Sequence, residues 1–195
     1  MTCIVGWLDK HNKTAYIGGD SASVNNSYDI HIRKDVKVFQ KGKMLIGYTS
    51  SFRMGQLLRF ELKIPIHPRG KDIYEYMCTD FIEAVRILFK NKGYSKVENN
   101  VEEIGTFLVI YRGRLFSIED DLQVAENIDC YNACGCGARF ALGSMYTVDM
   151  FSCENIKPEV IIRNALMTAA ALSSGVRGPF NIISMNYGDK SETKS

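Results

Sequence analysis

Strand-forming and helix-forming segments come in blocks along this chain rather than in alternation. Thr2 to Leu8 is rich in β-formers, Lys10-His11-Asn12-Lys13 is a polar turn, and Thr14 to Gly18 makes a returning strand. Ser21 to Tyr28 is polar and loop-like, and then Val36 to Phe39 and Met44 to Tyr48 pair across Lys41-Gly42-Lys43. Two helices follow. Met54, Leu57, Leu58 and Leu62 share one helical face behind Ser50 or Ser51 as N-cap, and Ile73, Met77, Ala84 and Leu88 mark a longer helix ending near Gly93. Between them Pro65, Pro68 and Gly70 set a loop over 63–71. Strands return at Thr106 to Tyr111 and Leu115 to Ile118, turning at Arg112-Gly113-Arg114, with shorter ones near Val124 and from Tyr131 to Cys134. Ala138, Ala141, Leu142 and Met145 open one helix. Ile161, Ala165, Thr168 and Leu172 stripe another, started by Pro158 and stopped by Gly175, and Phe180 to Met185 is a final strand. Such blocks favour α+β over a doubly wound parallel sheet. Two antiparallel sheets, each covered by a helix pair, use every element.

Composition narrows the function classes. Of 195 residues 46% are hydrophobic and the net charge is only +2, so the chain folds around its own core and lacks the cationic field of a nucleic-acid binder. No uninterrupted apolar run approaches the ~18 residues of a membrane span, and Asp9 breaks the first apolar stretch too early for a secretory signal. One domain over 1–188 and a polar tail over 189–195 are expected. Six cysteines without a signal read as reduced thiols in a cytoplasm. Cys130, Cys134 and Cys136 have half the spacing of a metal site, but no second Cys or His pair lies near them, so small residues on a strand are expected and no metal. The acidic residues Glu119, Asp120, Asp121, Glu126 and Asp129 read as a solvated rim.

Phosphate loops, dinucleotide fingerprints and a G-x-S-x-G elbow are absent, and three scattered histidines argue against a histidine-based triad. Thr2 offers another chemistry. Once Met1 is trimmed, its free α-amine, with an unperturbed pKa near ~7.7–8.0, can serve as the base for its own hydroxyl. The plain alternative is that Thr2 only starts a strand. If the first hairpin turns at His11 and Asn12, facing residues have numbers summing to about 23. Thr2 then lies opposite Ser21 and beside Asp20, and Gly18-Gly19 allows close backbone approach. Lys34 and Lys37 are the next cations. Lys37, inside an apolar run, is either an edge-strand gatekeeper or a buried, paired charge.

Thr2-Cys3-Ile4-Val5-Gly6, Gly19-Asp20-Ser21-Ala22-Ser23, Lys37-Val38-Phe39-Gln40 and Ile46-Gly47-Tyr48 occur in the order of a proteasome β-type subunit, and Gly135-Cys136-Gly137 before a small-residue helix completes the pattern. From Thr2 to Met185 the chain resembles the N-terminal-nucleophile (Ntn) hydrolase superfamily, in particular HslV-like peptidases. The resemblance implies a four-layer αββα sandwich and no cofactor. It implies Thr2 as nucleophile, Lys37 as the essential lysine, Asp20 as the carboxylate that holds it, and the Gly47 N–H as the oxyanion donor, a contribution worth roughly 2.7–4 kcal/mol. It also implies a peptide substrate, or a small amide, a ring-like homo-oligomer and a separate AAA+ unfoldase as the kind of partner to look for, with neither nucleic acid nor membrane. Three departures stand out. Cys136 replaces the serine of the Gly-x-Gly motif, Ala171-Leu172-Ser173-Ser174-Gly175 lacks the later aspartate, leaving Ser173 or Ser174 to substitute, and the second glycine after Gly47 is missing. A catalytically silent, ring-forming scaffold is therefore the alternative, and Cys3 or Cys136 as nucleophile is a third reading.

Overall fold

The computed structural model describes residues 1–25, 27, 29–98, 100–151 and 156–188. In chain order the strands are β1 (Ile4–Asp9), β2 (Thr14–Gly19), β3 (Ala22–Val24), β4 (Ile30–Ile32), β5 (Val38–Lys41), β6 (Met44–Tyr48), β7 (Lys96–Glu98), β8 (Val101–Glu103), β9 (Phe107–Tyr111), β10 (Arg114–Ile118), β11 (Val124–Glu126), β12 (Tyr131–Cys134) and β13 (Asn181–Asn186). The helices are α1 (Phe52–Gln56), α2 (Ile73–Tyr76), α3 (Ile82–Asn91), α4 (Ala138–Met150) and α5 (Pro158–Leu172), with π-helical turns at Leu57–Glu61 and Met77–Phe81 extending α1 and joining α2 to α3.

Two antiparallel sheets form the centre, ordered β12-β1-β2-β13 and β11-β10-β9-β6-β5. Period-two patterning decides what each strand touches. Along β1, Ile4 and Leu8 join the apolar layer between the sheets, while Val5 and Trp7 face α4 and α5. Along β9, Leu108 and Ile110 point into the middle layer, while Phe107, Val109 and Tyr111 pack on the helical segments from α1 to α3. The result is the expected four-layer αββα sandwich. Helix starts follow local chemistry: Ser51 Oγ accepts from the Arg53 N–H at 3.1 Å, the Asp72 carboxylate caps α2, and Pro158 opens α5.

The first hairpin has the register read from its turn, with Ile4 opposite Gly19 and Asp9 opposite Thr14. Three features differ from expectation. Part of the stretch read as loop is β3, which pairs with β4, and a further hairpin, β7 with β8, was not legible. These strands have three residues each, too few to carry a period-two signal, and β4, β7 and β8 are largely exposed. The third difference is that β5 begins at Val38, leaving Lys37 just ahead of the strand instead of inside it. Asn26, Tyr28, Cys153 and the 189–195 tail lie outside the described residues. Among the described residues, no helix is long and apolar enough to cross a membrane.

Candidate active site

Thr2 lies just ahead of β1 and is buried. The turn between β12 and α4 wraps its backbone. Gly135 has φ +96°, and a Cβ there would stand 2.3 Å from the Thr2 carbonyl oxygen, so both conformation and space require glycine. The Gly137 N–H donates to that same oxygen at 3.3 Å. Between the two glycines, Cys136 Sγ accepts from the Thr2 N–H at 3.3 Å and lies 3.5 Å from the Thr2 oxygen. Ser173, the residue after α5, turns its hydroxyl toward Cys136 Sγ at 3.5 Å.

Asp20 follows β2 and has no exposed surface. One carboxylate oxygen accepts from the Cys3 N–H at 3.1 Å, and the other from the N–H groups of Ala22 at 3.0 Å and Arg177 at 3.3 Å. Lys37 Nζ reaches the first of these oxygens at 2.8 Å. The same ammonium donates to Thr2 Oγ1 at 2.9 Å and to the Ala22 carbonyl at 2.6 Å. An ammonium has three N–H donors, and here all three are occupied. Burial pushes the Lys37 pKa below its usual range, while the Asp20 charge and hydrogen bond oppose that shift. An ion pair this deep is a poor stabiliser, because desolvation consumes most of the Coulombic gain.

Thr2 Oγ1 also donates to the Met1 carbonyl. Met1 is half-exposed and packs toward Gly175, where an added Cβ would meet its side chain at 2.5 Å.

Four of the five expected site residues, Thr2, Asp20, Lys37 and Cys136, thus touch one another in one cluster. Gly47 does not. It stands opposite Val38 and Leu108, and a Cβ there would meet Ile4 at 2.5 Å and Ile17 at 2.9 Å, so its role in the structure is to let the sheets approach. Consecutive N–H groups of a strand alternate between neighbours. Tyr48 donates to the Lys37 carbonyl and Thr49 to the Thr106 carbonyl, so the Gly47 N–H lies on the β9 side, away from Thr2.

A cavity of about 60 Å³ adjoins Thr2 and Lys37 and is also lined by Ser50. Ser50 has φ +62°, a conformation usually left to glycine, and its N–H has no protein acceptor among the described residues. A left-handed serine carries no sequence signal, which is why Ser50 stood out only as a helix cap. Cys3 has its thiol pushed up to about 12, first by burial and then by Asp20, which makes it a poor nucleophile. Cys134 is buried between the sheets, and burial pushes its thiol well above the usual range.

No protein-family model and no curated protein matches the sequence. Solved structures do match the fold. Thiobacillus denitrificans BPH superposes with a TM-score of 0.76 over 96% of this chain and 98% of that one, at 18% identity. The eukaryotic HslV from Trypanosoma brucei gives 0.67 over 95% and 99%, at 16% identity. A mutant of Anbu from Hyphomicrobium sp. strain MC1 gives 0.66 over 95% and 82%, at 11% identity. The chain therefore has the proteasome-like Ntn-hydrolase fold over nearly its whole length.

Proposed function

We propose that this chain is a threonine-type amide hydrolase of the proteasome-like kind, acting on peptides. The observation that carries the reading is the contact of a buried, Asp20-paired ammonium with Thr2 Oγ1 at 2.9 Å. Cleavage of the Met1–Thr2 bond frees the Thr2 nitrogen as an amine. That amine, directly or through one water, takes the hydroxyl proton while Oγ1 attacks the substrate carbonyl carbon. The Lys37 charge favours the neutral amine and the developing alkoxide, and Asp20 holds Lys37 in place. Negative charge builds on the former carbonyl oxygen, and the Ser50 N–H is the donor assigned to it in place of Gly47. The protonated amine then passes its proton to the leaving nitrogen, the C–N bond breaks, and an ester to Oγ1 remains. Water, deprotonated by the same amine, hydrolyses the ester and restores Thr2. Cys136 orients the amine as a positioning residue, with Ser173 behind it.

A small-molecule amide is the runner-up substrate within this class. The domain over 1–188, self-association into a ring, a cytoplasmic setting and a separate AAA+ unfoldase belong to the same reading. Intact-mass analysis with peptide epoxyketone traps tests it. A species lacking Met1 that gains one inhibitor mass on Thr2, and loses that gain in Lys37→Ala, is expected. Retention of Met1 in every preparation, or hydrolysis that survives Thr2→Ala, overturns it.

A second reading, a silent ring-forming scaffold, draws on three observations: Cys136 in the serine position, Ala171 without a carboxylate, and Met1 seated against Gly175. It predicts that Thr2→Ala leaves the biological role intact.

A further inference from the structure

Where α5 ends, one arginine joins the two halves of the candidate site. The helix stops at Leu172, and Ser173 leaves it with extended backbone, φ −123° and ψ 122°. The Ser173 N–H still donates to the Ala169 carbonyl at 2.8 Å. The turn away from the axis then deprives the next carbonyl, that of Ala170, of the N–H that one more helical residue would bring. The Arg177 side chain supplies it. A single guanidinium nitrogen, Nη1, donates to the carbonyls of Ala170 at 3.1 Å, Ser173 at 3.1 Å and Val176 at 2.6 Å. A cation at this end also suits the negative pole of the helix.

The Arg177 backbone grips the other half. Its N–H donates to the Asp20 carboxylate at 3.3 Å, and its carbonyl accepts from the Ser21 N–H at 3.0 Å. Segment 173–177 is therefore tied to α5 at one end and, at the other, to the carboxylate that pairs with Lys37. Between those anchors it meets Cys136 twice. The Ser173 hydroxyl lies 3.5 Å from Sγ, and a Cβ on Gly175 would stand 3.0 Å from the same sulfur. Cys136 Sγ accepts in turn from the Thr2 N–H at 3.3 Å. A thiol is a weak hydrogen-bonding group, so its hold on that nitrogen depends on what packs behind the sulfur.

We infer that Arg177 is a positioning residue of the reaction: its guanidinium fixes the exit of α5, so that Ser173 holds Cys136 and Cys136 holds the Thr2 amine in line with the hydroxyl it must deprotonate. This rests on the proposed hydrolase reading. Without the guanidinium the Ala170 carbonyl loses its donor, the last turn of α5 frays and Ser173 drifts from the sulfur. A shift of about 1 Å in a reacting group is enough to cost two orders of magnitude in rate. An arginine that only caps a helix would stabilise the fold without passing anything on to Thr2.

The test is a double-mutant cycle on the full chain with Met1 removed, read by turnover of a peptidyl-aminomethylcoumarin and by the rate at which a peptide epoxyketone adds to Thr2. Arg177→Met keeps the stem and removes the donors. It is expected to lower kcat roughly ten-fold with KM within about two-fold. In a Ser173→Ala background the same change should cost no more than about two-fold, because the contact it works through is already gone. Arg177→Lys, which can still reach a helix-end carbonyl, should fall between Arg177→Met and the parent. Where turnover in the Ser173→Ala background is too slow to follow, the epoxyketone rate carries the comparison. If Arg177→Met fails to fold, Arg177→Lys takes its place in the cycle. An unchanged kcat in the folded variant, or an equal loss in both backgrounds, leaves Arg177 a helix cap and overturns the inference alone. No turnover by the parent, together with no trap adduct at Thr2, overturns it along with the hydrolase reading.

Discussion

The two ends of the β1–β2 hairpin are opposites. At its turn, Trp7 to Asn12 line an open cleft of about 840 Å³ with Cys130 and the residues flanking α5's start. At the other end, Met1, Thr2 and Lys37 border a space of about 60 Å³, with Asp20 behind Lys37. The large cleft holds charges that face water: Asp9 only braces the turn, accepting from the Asn12 N–H at 2.9 Å and from its side-chain amide at 2.7 Å. The small one is bordered by an ammonium 1% exposed that pairs with a carboxylate 0% exposed, and among the described residues no buried side-chain nitrogen or oxygen lacks a partner. The proposed site is marked by charge kept where solvation is lost, not by open space, since the fold gains little from such a pair otherwise.

Mutations at the two ends should separate accordingly. Thr2→Ala has the largest effect on activity, reducing hydrolysis to background while lowering the unfolding midpoint less than the loss of Asp20 does, measured by peptide turnover and thermal melts. Asp20→Asn comes next. It leaves Lys37 buried without a counter-charge and should cost roughly 3–5 kcal/mol in denaturant unfolding, in addition to activity. A third prediction concerns pH. The proposed mechanism needs a neutral Thr2 amine and a charged Lys37, so kcat/KM should be bell-shaped. Its alkaline limb should fall below the ordinary lysine value of ~10.4, because burial pushes the Lys37 pKa down. Between the depressed folded value and the unfolded one, the unfolded chain binds more protons, so the burial penalty of Lys37 relaxes as pH rises through that window. The smallest effect belongs to the open end: Asp9→Ala should cost about 1 kcal/mol and leave kcat/KM unchanged. A large loss of activity from Asp9→Ala would erase the contrast between the two ends.

Much of this was legible because its signals are periodic or local. The alternation in β1 and β9, the polar turn at His11 and Asn12 and the Pro158 start of α5 each state one element, and the hairpin register alone carries Asp20 to Thr2. Lys37 was legible as an anomaly, a cation in an apolar run. What escaped depended on long-range geometry. The direction of the Gly47 N–H follows from which neighbour each β6 residue faces, and the left-handed backbone of Ser50 is imposed by its surroundings, not by its own side chain. The contact of Ser173 with Cys136 joins residues 37 positions apart on two different helix ends, beyond any local pattern.

The Thr2 nitrogen is already in the grip of Cys136 while it is still part of a peptide bond. Removing the preceding residue would end that atom's conjugation with a carbonyl and so make it basic, without requiring it to travel. Maturation would then be a chemical event in a finished mould, and the uncut chain would serve as its own template for the cut one.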